Sequence, residues 1–152
     1  MTTVSDILRA KNPSGPSAVH SVAPTDTMLT ALQRMSGFGI GALLVMDGEH
    51  IAGIVTERDY ARKVVLQGRS SNSTPVQEVM TAQVHCVLPR QTTAECMALM
   101  TDKRIRHLPV VNDQHQVLGM VSIGDLVKEI ISEQQFTIQQ LEHYITGVSP
   151  VK

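Results

Sequence analysis

The chain has 152 residues, which suits one compact domain or two small domains that share a core. A net charge of −1 at pH 7 and 3% aromatic residues argue against nucleic-acid partners, which need basic patches or stacking platforms. No apolar run approaches the roughly 20 residues that cross a bilayer, and the N-terminus lacks the apolar core of a signal peptide. The two cysteines, Cys86 and Cys96, form no metal-type or disulfide spacing. We therefore expect a cytoplasmic protein with no membrane partner.

The sequence repeats itself with an offset of 65 residues through its middle, as from His20 to His85. The offset becomes 66 after one extra residue in the loop Asn112 to Gln116. A length change confined to a loop is what a structural repeat should show. The matching pairs of segments are 4–8 with 76–80, 20–24 with 85–89, 40–45 with 105–110, and 53–59 with 119–125.

Taken in chain order, each half predicts the elements β-α-β-β-α. After a polar loop over Ala10 to Ser17, a short strand covers Val19 to Val22, with His85 to Val87 as its repeat. A helix follows in each half, because apolar residues recur at helical spacing. A hairpin then turns at Asp47-Gly48, a pair that tolerates positive φ. The residues that mark the two helices are Met28, Ala31, Leu32 and Met35, then Cys96, Met97, Leu99 and Met100.

The second half continues into a long amphipathic helix over Leu126 to Thr146, which should end at Gly147 and break near Phe136. The helix outlasts the repeat that would cover it, so its outer half is predicted to pair with the same helix of a second chain; the alternative is that the helix packs on its own domain. The linker lies between Leu66 and Pro75. These boundaries give a first repeat over 1–70, a second over 71–131, the outer helix over 132–147 and a tail over 148–152.

The tract Gly-x-x-(Ser/Thr)-x-x-Asp occurs at Gly53 to Asp59 and at Gly119 to Asp125, each time at a predicted strand-to-helix junction. The hydroxyl of Thr56 or Ser122 would sit beside free N–H groups of a helix start, where anions are favoured. The carboxylate three residues later could accept two hydrogen bonds from a ribose diol. The same pattern is also a capping box, which only stabilises a helix start. The residues alone leave both interpretations open.

The duplicated tract, together with the strand Leu108-Pro109-Val110-Val111, resembles tandem CBS domains, a Bateman module. The resemblance runs from Val4 to about Ile131 and is specific to small bacterial stand-alone proteins made of one CBS pair. It implies an α+β fold in which two β-α-β-β-α repeats pack pseudo-symmetrically through their sheets, with two related clefts between them. Members of this family bind AMP, ADP, ATP, NAD(H) or S-adenosylmethionine in such clefts.

The resemblance also implies residue roles, with Asp59 or Asp125 holding the ribose and Thr56 or Ser122 touching ribose or phosphate. The first strands, at His20 and His85, and the segment before the Pro109 strand would frame the adenine. For the Asp59 cleft, phosphate would meet Arg106 and His107, with Arg58, Arg104 and Lys103 adding positive charge. For the Asp125 cleft, the matching positions are the uncharged Gly41 and Ala42. We therefore expect the Asp59 cleft to hold a phosphorylated ligand more tightly.

The sequence thus predicts a non-catalytic, homodimeric sensor of an adenosine nucleotide, AMP first, that signals to an unidentified protein. The alternative is a structural or interaction module with empty clefts. An enzyme is a third possibility, since Asp59 and Asp125 could in principle form an acid/base pair. The histidines show no metal-ligand spacing, and no phosphate-binding glycine loop of a nucleotidase or dehydrogenase is present. No metal is therefore expected.

Overall fold

The computed structural model describes residues 1–15 and 19–147 and confirms the α+β class, with two small sheets and a long C-terminal helix. A π-helical turn, Ala61–Val65, extends α3, and a 3-10 turn, Val76–Glu78, follows the linker. The helices are α1 (Val4–Lys11), α2 (Met28–Phe38), α3 (Glu57–Tyr60), α4 (Thr93–Lys103) and α5 (Ile123–Thr146). The strands are β1 (Ser21–Val22), β2 (Ala42–Asp47), β3 (His50–Thr56), β4 (His107–Val111) and β5 (Val117–Ser122).

The first sheet has the order β1-β2-β3, with β1 parallel to β2 and the β2–β3 hairpin antiparallel. The hairpin turns at Gly48, whose φ of 64° is the positive value that the sequence predicted. The second sheet contains only the β4–β5 hairpin. Both hairpins lie where the sequence placed them.

The strand predicted at His85 to Val87 is reduced to one parallel bridge between Val87 and Val110. Pro109 explains the loss, because it stands at the repeat position of Leu44, which pairs with Ser21 of β1. Proline has no N–H to donate to a neighbouring strand, so the ladder is cut short there. The prediction of a full strand was therefore wrong.

Capping residues determine where the helices begin and end. Thr27 and Thr92 accept hydrogen bonds from the N–H groups of Thr30 and Glu95 and so begin α2 and α4. Helix α5 ends at Gly147, as predicted, but runs without a break through Phe136, so the predicted interruption is wrong. The loop predicted from Ala10 starts later because α1 extends to Lys11, and residues 16–18 of it lie outside the described part.

Two apolar cores exist, and each receives a segment from the far side of the linker. Val4 and Ile7 of α1 are buried in the core of the second half. Val76 and Val79 are buried in the core of the first half, in the same pseudo-symmetric relation. The exchange ties the two halves together, since each core is completed by a segment from the other side of the linker. The boundaries at 70 and 131 stay predictions, and the tail over 148–152 lies outside the described residues.

Candidate functional site

Both strand-to-helix junctions carry complete capping boxes. The Thr56 N–H donates to Asp59 Oδ2 (3.0 Å) and the Asp59 N–H donates back to Thr56 Oγ1 (3.1 Å). At the second junction the Ser122 N–H donates to Asp125 Oδ2 (2.8 Å) and the Asp125 N–H to Ser122 Oγ (3.2 Å). The capping interpretation is therefore correct. It does not exclude binding, because an ionised carboxylate offers about four acceptor sites and each hydroxyl keeps its proton to donate.

The glycine of each tract has a packing role that sequence analysis missed. A Cβ atom on Gly53 would lie 2.7 Å from Met80 Sδ, and one on Gly119 would lie 2.8 Å from Leu8 Cδ2. Met80 and Leu8 are themselves repeat partners, in segments 76–80 and 4–8. The bare glycine thus lets the exchanged segment of the opposite half approach the strand that leads to the junction.

The Asp59 junction opens into a cleft of about 330 Å³ between the two halves. Arginines dominate its charge, because four of them line it against the two carboxylates of Glu57 and Asp59. The side chain of Asp59 is 16% exposed, so it is accessible at the cleft floor. The cationic lining consists of Arg58, Arg62, Arg104 and Arg106, with His85 and His107 beside them.

The Asp125 junction opens into a second cleft of about 480 Å³, related to the first by the pseudo-twofold. Its walls come from the first strand region at Val19 and His20, from the 39–42 loop, and from β5. His20 stacks on Phe38, with ring centroids 3.6 Å apart. Lys11 of α1 lines this cleft and is the one lysine or arginine side chain among its described lining residues.

The structure brings together most of the predicted site residues in the predicted pairs. Arg106 and His107 face Asp59, while Gly41 and Ala42 face Asp125, and His85 and His20 divide between the clefts in the same way. Gly41 and His107 line both clefts, so they form the wall between them. Pro109 lines neither of the two: it is buried in β4, where its carbonyl accepts the Val87 N–H.

Sequence analysis missed several lining residues, among them Arg62, Gln83 and Lys11. Arg62 lies in the π-helical turn after α3, and Gln83 lies in the segment before Val87; both line the Asp59 cleft. Lys11 brings a positive charge to the Asp125 cleft that does not come from the matching positions Gly41 and Ala42, and the sequence analysis did not foresee it. The exchange of the N-terminal segment explains this, because Lys11 Nζ reaches Asp125 Oδ2 (2.9 Å) from 114 positions away. Lys103 pairs with Asp102 and lines neither cleft.

The wall residue His107 is the titratable group that both clefts share. Burial lowers the pKa of His107, and the cations Lys11 and Arg106 lower it further, while Asp125 and Glu57 oppose them. Burial alone would raise the pKa of Asp125, but the Ser122 N–H and the Lys11 ammonium outweigh burial and hold that pKa below its usual value. Burial therefore favours the neutral form of His107, in which the imidazole can act as a donor or an acceptor in the wall between the two clefts.

Arg104 is held in an uncommon backbone conformation at the mouth of the Asp59 cleft. It caps the C-terminus of α4 with φ 55°, whereas Gly39 caps α2 at the repeat position with φ 65°. An arginine in the left-handed region costs free energy that glycine does not pay. Strained non-glycine residues concentrate at binding sites, so Arg104 is a candidate for function rather than for stability.

Other kinds of site find no support in the described part of the chain. No group of His, Cys, Asp and Glu side chains among residues 1–15 and 19–147 is arranged to hold a metal ion. Cys96 is buried and Cys86 is partly exposed. None of the described helices combines the length and the apolar character that a membrane span requires.

The CBS-domain family model matches residues 16–66 and 76–132. This chain belongs to the CBS-domain family. It carries two CBS domains in tandem, and the exchanged segments are 4–8, which precedes the first matched range, and 76–80, which begins the second. The resemblance inferred from the duplicated tract is confirmed.

Similar proteins include stand-alone members of the family. The CBS domain-containing protein CBSX3, mitochondrial, of Arabidopsis thaliana is 41% identical over 96% of this chain and 73% of its own. A candidate signal-transduction protein with CBS domains from Burkholderia ambifaria MC40-6 superposes with a TM-score of 0.83. It is 59% identical, over 90% of this chain and 99% of its own.

The CBS domain pair of protein MJ0100 shares the fold, with a TM-score of 0.73 and 23% identity over 88% of this chain and 98% of its own. Its structure is a complex with 5′-methylthioadenosine and S-adenosyl-L-methionine.

Proposed function

We propose that this CBS pair is a non-catalytic regulatory sensor that binds an adenosine nucleotide in the Asp59 cleft. The observation that carries the proposal is the set of four arginines that line the same cleft as the Asp59 carboxylate. A carboxylate suits a sugar diol, and arginine grips phosphate through two parallel hydrogen bonds. The cleft volume of about 330 Å³ lies in the range of small-molecule sites. The adenosine ligands of the MJ0100 complex support the nucleoside part.

AMP is the proposed ligand, ahead of ADP, ATP and NAD, because the four arginines of the lining exceed its two carboxylates by two charges, which matches the charge of about −2 on one phosphate monoester. A ligand that touches Asp59 in one CBS domain and Arg106 in the other would favour one relative orientation of the two. A partner protein would then recognise that orientation. The location of the protein in the cytoplasm stays a prediction.

The test is isothermal titration calorimetry with AMP, with thermal shifts as a second readout. Asp59→Ala should weaken AMP binding by about 10- to 100-fold, since hydrogen bonds to a charged group contribute about 1.5–3 kcal/mol. Asp125→Ala is the matched control: it destroys the same capping box but should leave AMP affinity within a fewfold. Bound ligand should raise the melting temperature of the wild type by linkage.

The alternative function is a structural module whose clefts take no ligand. The complete capping boxes favour it, because both tracts have a stabilising role without any nucleotide. It predicts no thermal shift from AMP, ADP, ATP, NAD, NADH or S-adenosylmethionine at millimolar concentration. It also predicts equal effects of Asp59→Ala and Asp125→Ala, limited to stability.

We also propose that the sensor is a homodimer joined along the outer part of α5. The helix leaves Ile131, Ile138, Leu141 and Ile145 between 49% and 80% exposed, at spacings of seven, three and four residues. Those spacings put the four side chains on one stripe of the kind that packs against an identical helix. A second copy presents the same stripe and would cover it.

A further inference from the structure

The last turn of α1 places a lysine inside the Asp125 cleft. Lys11 Nζ donates to Asp125 Oδ2 (2.9 Å) and to the carbonyl oxygen of Met120 (2.9 Å). The Lys11 side chain is 41% exposed and the Asp125 side chain 22%. The ammonium therefore lies on the carboxylate that a ribose diol would have to reach.

No lysine is among the described residues that line the Asp59 cleft. Continuing the pairing of segments 4–8 and 76–80 puts Gln83 at the repeat position of Lys11, and Gln83 lines the Asp59 cleft. Lys63 does come within 3.5 Å of Asp59 Oδ1. However, Lys63 is not a lining residue of that cleft, and its hydrogen bond goes to the Val79 carbonyl (2.9 Å). The two carboxylates thus differ in what faces them from the ligand side.

Lys11 lies on a helix that packs against the second core. Val4 and Ile7 of α1 are buried in the second core, with exposures of 0% and 3%. The Val4 N–H donates to the Gln91 carbonyl (2.8 Å), and Thr3 and Asp6 form a capping box at the start of the helix. Because α1 is anchored at its N-terminal end, its last turn is held over the cleft.

We propose that Lys11 is a specificity-determining residue that competes, within the chain, with a ribose diol for Asp125. The proposal rests on the proposed function, because it assumes that the clefts hold nucleosides through these carboxylates. A neutral diol entering the Asp125 cleft must displace an ammonium whose hydrogen bond to Asp125 is also an ion pair, so the diol's own hydrogen bonds to the carboxylate must first offset that Coulomb attraction. Lys63, which pairs with Asp59, is not among the residues that line the Asp59 cleft, so a ligand there has no lining lysine to displace. The chain should therefore take one nucleotide, in the Asp59 cleft.

The experiment isolates the Asp125 cleft by working in an Asp59→Ala background. Adenosine is the probe, because it carries no phosphate whose attraction to Lys11 would oppose the effect. Lys11→Gln installs the residue that the chain itself uses at position 83. Calorimetry should show adenosine binding about tenfold tighter in Asp59→Ala/Lys11→Gln than in Asp59→Ala, the scale of a partly exposed ion pair with one hydrogen bond.

Two further variants serve as controls. Lys11→Arg keeps the cation and should give no gain. Arg9→Gln removes a charge from the same turn of α1, but Arg9 pairs with Asp6 (3.6 Å) and does not line the cleft, so it should change nothing. Adding Asp125→Ala to the double variant should abolish the gained affinity. Far-ultraviolet circular dichroism checks that each variant is folded.

The outcomes separate this proposal from the one on which it rests. If wild-type protein binds AMP through Asp59 and Lys11→Gln brings no gain, Lys11 is not a competitor and only the present proposal is overturned. If neither AMP nor adenosine binds any variant, the proposed function is wrong, and the present proposal, which depends on it, is wrong as well. A tenfold gain that disappears with Asp125→Ala supports the competition whether or not the Asp59 cleft binds AMP.

Discussion

Arg104 combines a structural cost with a functional charge in one residue. Its φ of 55° is a conformation that the first CBS domain assigns to Gly39. The left-handed region costs an ordinary residue about 1–2 kcal/mol, and glycine loses part of that gain through its more flexible unfolded chain. The second CBS domain thus accepts a less stable helix end and gains a guanidinium at the mouth of the Asp59 cleft.

Replacing this residue should therefore move stability and affinity in opposite directions. We expect Arg104→Gly to raise the free energy of unfolding by about 0.5–1 kcal/mol and to weaken AMP binding several-fold. Arg104→Ala is the matched control, because it removes the same charge but keeps a Cβ at positive φ. It should lose affinity without gaining stability. Urea denaturation and calorimetry measure the two effects, and a stabilised Arg104→Gly with unchanged AMP affinity would remove Arg104 from the site.

At the scale of elements, the exchanged segments 76–80 and 4–8 determine how closely β3 and β5 are packed at their tract glycines. Both tract glycines touch the exchanged segment, but the contacts differ in kind. A Cβ on Gly53 would lie 2.8 Å from the backbone oxygen of Thr81, whereas a Cβ on Gly119 would meet only the end of the Leu8 side chain. Thr81 cannot move aside easily, because its N–H and carbonyl both bond to Ile54 (2.9 and 3.0 Å).

The two glycine-to-alanine changes should therefore differ in cost. We expect Gly53→Ala to lower the free energy of unfolding by about 2–3 kcal/mol, at the upper end for overpacking, and Gly119→Ala by about 1 kcal/mol. The two variants control for each other, because both replace glycine by alanine at equivalent positions of the repeated tract. Urea denaturation followed by circular dichroism measures both. Equal losses would show that the backbone contact at Thr81 does not resist the new methyl group.

The same exchange marks the limit of what the sequence could predict. The capping tracts, the hairpin at Gly48 and the end of α5 at Gly147 are local, because neighbouring residues determine cap and turn geometry. Lys11 in the Asp125 cleft is not local: no periodicity or motif indicates which distant carboxylate a helix will bring its lysine to. The lost strand at Val87 was readable in principle, since Pro109 at the position of Leu44 lacks the N–H that a paired strand needs.

At the scale of the whole molecule, α5 is the element placed to connect the proposed ligand site with the proposed dimer surface. Its capping box at Ser122 and Asp125 forms the second cleft, while its outer half lies beyond the core. Arg106 lines the Asp59 cleft and also the shallow groove beside Val127 and Ile131. Ligand contact and the exposed helix face are therefore adjacent, so a dimer joined through α5 would lie next to the nucleotide.

That arrangement predicts that one charge on the α5 stripe should separate the subunits. Leu141 is 56% exposed, and burying an aspartate there between two helices would leave its charge unpaired. We expect Leu141→Asp to be a folded monomer by light scattering coupled to size-exclusion chromatography, where the wild type is a dimer. Gln140→Asp adds the same charge one position off the stripe and should stay dimeric. A wild type that elutes as a monomer, or two variants with equal mass, would contradict pairing of the stripe with a second copy.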